Sequence, residues 1–199
     1  MSRSVVKRGK DFGGDPLILS LVYHLAHGQL GRRRLARHTG LSEMKVRRAL
    51  ERLQAQGLLN LSYRGAALTS EGRDRFLPIA SRVKGVRPLG LPSLTRAPAA
   101  VGALVEASVS HPPWWYRDLA VREGAEELLL FSFNSGKLRF PQTLEPVDAK
   151  NPEDTARLHQ VFVEISEGDL VVVAGGQTLE VASRGLWRVL GALLFPLER

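Results

Sequence analysis

The chain has 199 residues, of which 44% are hydrophobic and 24% are charged, a composition typical of a globular protein with one or two domains. It contains no cysteine, which excludes disulfides, thiolate catalysis and cysteine-ligated zinc. No apolar run approaches the roughly 20 residues that span a bilayer and the N-terminus lacks a signal-peptide core, so we expect a cytoplasmic protein with no membrane partner.

Charge is divided unevenly along the chain. Residues 1–97 carry 19 Lys and Arg against 6 Asp and Glu, whereas residues 98–199 carry 9 against 14. The first part is therefore +13 and the second −5, in agreement with the formal net charge of +8. This asymmetry predicts that the first part meets a polyanion. The alternative is that its basic residues only solvate the surface.

The chain opens with a glycine-containing basic arm, which we predict over residues 1–14. Asp15 and Pro16 then form a helix-start signal, an N-cap followed by a proline in the first turn. The apolar helix that follows ends near Gly28. A second, arginine-rich helix is predicted over 32–38.

A basic amphipathic helix is predicted over residues 43–56. Ser42 is its N-cap and Gly57 suits a left-handed C-terminal cap. Four residues at helical spacing form its apolar stripe: Val46, Ala49, Leu50 and Leu53. Four cations lie off that stripe: Lys45, Arg47, Arg48 and Arg52.

A hairpin and a further helix complete this part of the chain. Strands are predicted over 58–63 and 66–69, and the next helix is capped by Thr69 or Ser70. The order helix, turn, helix, hairpin, capped helix resembles the winged helix-turn-helix domains of MarR-type and related transcriptional regulators. The resemblance covers residues 15–77 and rests on four segments: LARHTGLS at 35–42, VRRALERL at 46–53, QGLL at 56–59 and LTSEGR at 68–73.

The resemblance implies that this part of the chain binds double-stranded DNA. The predicted contact residues are Arg32, Arg33, Ser42, Lys45, Arg47, Arg48, Arg52, Tyr63 and Arg64. Cations on the helix 43–56 would neutralise phosphates or reach guanine edges in the major groove, and Arg64 would enter the minor groove. The alternative is that several of these cations only pair with Glu43 and Glu51. Winged helices also bind RNA or proteins.

Prolines, glycines and basic residues predict a linker over 79–97, between a DNA-binding domain at 15–78 and a second domain at 98–199. The second domain has the element order β-α-β-β-α-β-α, which predicts a small α/β domain with at least one parallel crossover. The fold class is therefore a two-domain α+β and α/β chain. The apolar last helix, over 178–194, favours burial between domains or subunits.

Parts of the second domain resemble an uncharacterised C-terminal domain that accompanies winged helices in archaeal proteins. The resemblance rests on Arg117-Asp118, Gly124-Ala125 and a hairpin closed by Pro141. It implies the division into two domains and no particular function.

A strand followed by a glycine pair and a helix start can present backbone N–H groups to an anion. This pattern predicts a small anionic effector as ligand, with an aromatic group and a counter-charge nearby. The predicted effector-binding residues are Trp114, Arg117, Gly175, Gly176 and Thr178. A plain strand-to-helix turn is the alternative, because neither the phosphate-loop nor the dinucleotide fingerprint is present.

No catalytic residue, metal site or cofactor is predicted. His24 and His27 share a helix face, but neither a carboxylate nor a third ligand is near them in the sequence. We therefore predict a sequence-specific, DNA-binding transcriptional regulator that forms a homodimer and senses an effector or oligomerises through its second domain. The alternatives are a nucleotide-binding protein or enzyme with the winged helix as a docking module, and an architectural or RNA-binding protein.

Overall fold

The computed structural model describes residues 15–195. The predicted basic arm, residues 1–14, lies outside the described residues. Within the described part of the chain, no helix has the length and apolar character needed to cross a bilayer.

Residues 16–80 form an N-terminal region of helices and one hairpin. In chain order its elements are α1 Pro16–Ala26, α2 Arg32–Thr39, α3 Glu43–Ala55, β1 Leu59–Ser62, β2 Gly65–Leu68 and α4 Ser70–Ala80. The two strands pair antiparallel. The predicted order of helices and strands in this region is confirmed.

The predicted helix caps are confirmed because each capping side chain accepts a hydrogen bond from the first turn. Asp15 Oδ1 accepts from the backbone N–H of Leu17 at 3.1 Å, at the start of α1. Thr69 Oγ1 accepts from the N–H of Gly72 at 3.0 Å, at the start of α4. Gly57, just after α3, has a φ of 73°, the left-handed conformation that glycine adopts without strain.

The C-terminal region is an α/β domain built on a five-stranded sheet. Its elements are β3 Val83–Leu89, β4 Ala99–Val105, α5 Pro113–Arg122, β5 Glu127–Asn134, β6 Lys137–Arg139, α6 Pro152–Val161, β7 Leu170–Gly176 and α7 Leu179–Leu194. A short 3₁₀ turn at Val147–Ala149 precedes α6. The predicted fold class, an N-terminal helical region followed by an α/β domain, is confirmed.

The strands lie in the order β3-β4-β7-β5-β6, and each neighbouring pair is antiparallel. The predicted parallel crossover is confirmed in split form: α5 connects β4 and β5, which run in the same direction, and β7 lies between them. The continuous apolar run 170–174 resembles a parallel strand buried on both faces. Here β7 is antiparallel and still buried on both faces, because α7 packs on one face and α6 on the other.

The first part of the predicted linker 79–97 belongs instead to α4 and to the sheet, and residues 90–97 connect β3 with β4. Helix α4 continues to Ala80, and β3 is an edge strand of the sheet, so the sheet begins well before the predicted boundary. Pro88 lies in β3 opposite Val101. An edge strand tolerates proline because one of its sides needs no donor for a neighbouring strand. Prolines alone therefore did not distinguish this strand from a linker.

Helix α1 joins the two regions. Its residues Ile18 and Leu21 are fully buried in the core of the N-terminal region. Its residues Leu19 and Tyr23 belong to the core between the sheet and α7, where the Tyr23 ring lies 5.3 Å from that of Trp187. The predicted burial of the last helix between the two parts of the chain is confirmed.

Candidate nucleic-acid interface

Helix α3 buries one face and exposes the rest. The predicted apolar stripe is at most 1% exposed and packs in the core of the N-terminal region. The four cations of α3 are all at the surface: Lys45, Arg47, Arg48 and Arg52. Ser42 Oγ accepts a hydrogen bond from the N–H of Lys45 at 3.4 Å, so this predicted contact residue also caps the helix.

A surface groove of about 600 Å³ runs between α3 and the hairpin β1–β2. Arginines from three elements line it: Arg32 at the start of α2, Arg47 on α3 and Arg64 in the hairpin turn. Tyr63, which is 91% exposed, lies at its rim, and Glu51 is the acidic residue of its lining. Three guanidinium groups around one groove favour a polyanionic ligand.

Side chains of the hairpin turn hold one another in place. The Nε–H of Arg64 donates to the Tyr63 hydroxyl at 2.8 Å, and the guanidinium carbon lies 5.4 Å from the centre of the Tyr63 ring. The backbone N–H of Arg64 donates to Ser62 Oγ at 3.2 Å. The turn therefore presents a positioned, exposed guanidinium group at the edge of the groove.

The sequence left open whether the cations pair with Glu43 and Glu51, and the structure contains both kinds of pair. Arg47 Nε lies 2.7 Å from Glu51 Oε1, and Arg33 Nε lies 3.7 Å from Glu43 Oε1. The hydrogen bond from Arg47 to Glu51, with the negative charge of that carboxylate, raises the pKa of Arg47. Because both pairs are solvent-exposed and screened, a phosphate can replace the carboxylate in either.

The two remaining arginines of α3 differ in their partners. Arg52 Nη1 lies 3.0 Å from Oδ2 of Asp15, the residue that caps α1. Arg48 has no ion-pair partner among residues 15–195 and is exposed. Of the predicted contact residues on α3, Arg48 is thus ready to bind an anion without first breaking an ion pair.

Lys45 has a partner that sequence reasoning missed. Its Nζ lies 2.5 Å from Oε1 of Glu180, at the start of α7 in the C-terminal region. The two residues are 135 positions apart, and no local sequence signal indicates that they meet. Lys45 lies outside the lining of the groove and contacts α7, unlike Arg32, Arg47, Tyr63 and Arg64, which line it.

The predicted effector-binding residues do not form the expected anion-binding turn. Gly175 and Gly176 are buried inside β7 and pair with Ala100 and Ala99 of β4. A Cβ on Gly175 would lie 2.8 Å from the Cβ of Ala97, so glycine here permits close packing. The hydroxyl oxygen of Thr178 accepts from the N–H of Val181 at 3.3 Å and caps α7.

The other two residues of that prediction are elsewhere in the domain. Trp114 and Arg117 are exposed on α5, and Trp114 has 65% of its surface in contact with solvent. The buried glycine pair and this exposed helix face do not build one ligand site. The glycine pair predicted an anion-binding turn, whereas it forms the buried end of β7. A pair of glycines before a helix start is compatible with either structure.

His24 lies where α1 meets α2. Its ring is 5.0 Å from that of His38 and 5.1 Å from that of Tyr23. Burial, together with the charges of the nearby His38 and His27, lowers the pKa of His24 to about 4. Among residues 15–195, no group of three histidine or acidic side chains is arranged to hold a metal ion.

Both regions match known protein families. Residues 18–81 match the family described as CggR N-terminal DNA binding domain, and this range contains all nine predicted DNA-contact residues. Residues 114–193 match a family described as Domain of unknown function (DUF4443). The MarR-type resemblance and the archaeal kinship of the second domain stay predictions.

No curated protein matches the chain. Among solved structures, the hypothetical protein PH0730 from Pyrococcus horikoshii OT3 is similar over 89% of this chain and 91% of its own, with a TM-score of 0.70 and 19% sequence identity. At that identity the likeness shows a shared fold and nothing about function.

Proposed function

We propose that the chain is a transcriptional regulator that binds duplex DNA sequence-specifically through a winged helix-turn-helix domain. In this proposal α3 is the recognition helix and the hairpin β1–β2 is the wing. The groove carries the proposal, because Arg32, Arg47 and Arg64 converge on it from three different elements. The match of residues 18–81 to a family described as a DNA binding domain supports the same conclusion.

The mechanism is first electrostatic and then geometric. Each phosphate that a lysine or arginine neutralises releases condensed counterions, which gives affinity without regard to sequence. A recognition helix in the major groove can offer the guanidinium groups of Arg47 and Arg48 to guanine O6 and N7, which is how arginine distinguishes base pairs. Arg64 on the wing is placed to follow the adjacent minor groove, where an inserted arginine meets a strongly negative potential.

The proposal includes a homodimer in the cytoplasm and no catalytic activity. A single recognition helix contacts few base pairs, whereas a two-fold pair of helices reads two half-sites about one helical turn apart. The exposed apolar side chains of Trp114 and Val121 on α5 support the C-terminal region as the pairing surface, since interface cores are enriched in aromatic residues. Sedimentation of the full chain measures this directly, and a monomer at every concentration would contradict the homodimer.

The experiment that tests DNA recognition is selection of bound fragments from a genomic library by the full chain at physiological salt. We expect the retained fragments to share a short motif, repeated with two-fold symmetry. Retention of duplex DNA without any shared motif would support the architectural alternative. Retention of RNA in preference to duplex DNA, or of neither, would overturn the proposed function.

A further inference from the structure

The C-terminal region touches the helix-turn-helix at the start of α7. Gly40, in the turn between α2 and α3, adopts a φ of 71°. A Cβ on Gly40 would lie 3.9 Å from both the Cα and the backbone N of Glu180, so the first turn of α7 lies against this turn. The N-terminal residues of a recognition helix, which follow directly, are those that reach base edges and flanking phosphates.

At this contact the carboxylate of Glu180 forms an ion pair with the ammonium group of Lys45. Glu180 Oε1 lies 2.5 Å from Lys45 Nζ, and the side chains are 33% and 54% exposed. Lys45 is on the flank of α3 away from the groove, whose lining takes Arg47 from the same helix. A carboxylate and a DNA phosphate bind an ammonium group in the same way, as anionic oxygen acceptors. A phosphate that approaches Lys45 therefore meets an ammonium charge already neutralised by Glu180 and a like-charged carboxylate beside it.

Glu180 is held at this place by the packing of its helix. Further along α7, Leu186 and Leu190 are fully buried and Trp187 is 3% exposed in the core that α7 shares with the sheet and with α1. Thr178 caps the first turn. The backbone of Glu180 is therefore fixed relative to the N-terminal region, which keeps its carboxylate within reach of Lys45.

We propose that Glu180 is an intramolecular competitor of DNA: by holding Lys45, the C-terminal α/β domain lowers the affinity of the recognition helix for the phosphate backbone. This inference rests on the proposed function. The competition gives the C-terminal region a regulatory role. Any change that draws the start of α7 away from α3 would release Lys45, a cation at the N-terminal end of the proposed recognition helix.

The test uses Glu180→Gln, which removes the charge and keeps the shape, in the full chain with mixed-sequence duplex DNA as the probe. Mixed-sequence DNA suffices because the competition concerns phosphates rather than bases. We expect Glu180→Gln to bind about two- to five-fold more tightly, the range of an exposed ion pair, and its log–log salt slope to steepen by about 0.9. In a Lys45→Gln background the same substitution should change neither quantity.

The matched control is Glu153→Gln, which removes one exposed carboxylate from α6, on the other face of the sheet. Unchanged binding by Glu180→Gln, an equal gain in the control, or weaker binding by Glu180→Gln would each overturn the inference. The last of these would mean that Glu180 positions Lys45 for DNA. If the wild-type chain and every variant leave duplex DNA unbound, the proposed function itself is wrong, which is a different and recognisable result.

Discussion

The two regions of the chain use their charged side chains differently. In the N-terminal region the ion pairs of α3 are exposed, as between Arg47 and Glu51, whose side chains are 56% and 50% exposed. In the C-terminal region the carboxylates Asp154 and Asp169 are 0% and 2% exposed and bind loops of their own domain. Asp169 also pairs with strand β3, where Lys84 Nζ lies 2.8 Å from Asp169 Oδ2.

This difference separates charges that can change partners from charges that cannot. An exposed carboxylate leaves its partner at little cost, so a phosphate can take its place. A buried carboxylate is expensive to leave unpaired, so its hydrogen bonds fix the fold. Asp154 shows the second case: its Oδ2 accepts from the backbone N–H groups of Ser93 at 2.8 Å and Leu94 at 2.9 Å, and thereby holds the connection between β3 and β4. We therefore expect ligand binding to depend on the exposed N-terminal cations and stability on the two buried C-terminal carboxylates, Asp154 and Asp169.

The largest expected effect comes from breaking a C-terminal pair. Asp169→Ala should lower the free energy of unfolding by about 3 kcal/mol, the lower end of the cost of breaking a buried ion pair, because Lys84 keeps some contact with water. It also removes the acceptor for the Ser166 N–H at 2.8 Å. Urea denaturation measures this, with Glu51→Ala as the N-terminal control. Equal urea midpoints for Asp169→Ala and Glu51→Ala would contradict the proposed difference between the two regions.

A smaller effect is expected inside the sheet. Gly175→Ala should destabilise the protein by about 1–3 kcal/mol, the usual cost of overpacking a core, because its Cβ would meet Ala97. Gly90→Ala is the matched control, since a Cβ there has no neighbour within 4 Å. Thermal or urea unfolding distinguishes the two. If both variants are as stable as the wild type, the glycine is not required for packing and an anion-binding role would return to consideration.

The smallest effect is expected at His24 on α1, the helix that joins the two regions. Its pKa is about 4 in the folded protein against 6.5 ordinarily, so the unfolded chain binds the proton more readily. Stability should therefore be full above pH 6.5 and fall as the pH drops through about 4, by about 1 kcal/mol between pH 7 and pH 5, given the partial exposure of the ring. Urea titrations of the wild type and His24→Gln at both pH values test this. An equal pH dependence in the two proteins would contradict it.

The sequence predicted what local signals encode. The caps at Asp15, Ser42 and Thr69 and the stripe of α3 follow from short-range rules, and the structure confirms them. Arg32, Arg47 and Arg64 were predicted as DNA-contact residues, but only the structure shows that they line one groove. In the N-terminal region, local patterns were therefore sufficient to predict the helices, their caps and the hairpin.

Short-range rules did not predict which distant segments of the chain pair with each other. The prolines, glycines and basic residues of 79–97 predict a linker, whereas the edge position of β3, which tolerates Pro88, is visible only in three dimensions. The position of β7 between β4 and β5 likewise depends on pairing rather than on periodicity. The contact of Lys45 with Glu180 requires knowing how α7 packs on α1, which no spacing in the chain encodes.

The most direct test of the central proposal is the salt dependence of duplex DNA binding by Arg47→Ala/Arg48→Ala. The matched control is Arg122→Ala/Lys150→Ala, which removes two exposed cations of the C-terminal region. We expect the first variant to bind more weakly and its log–log salt slope to become shallower by about 0.9 for each lost phosphate contact, while the control keeps the wild-type slope. Wild-type affinity and slope in the first variant would show that α3 is not the helix that meets DNA.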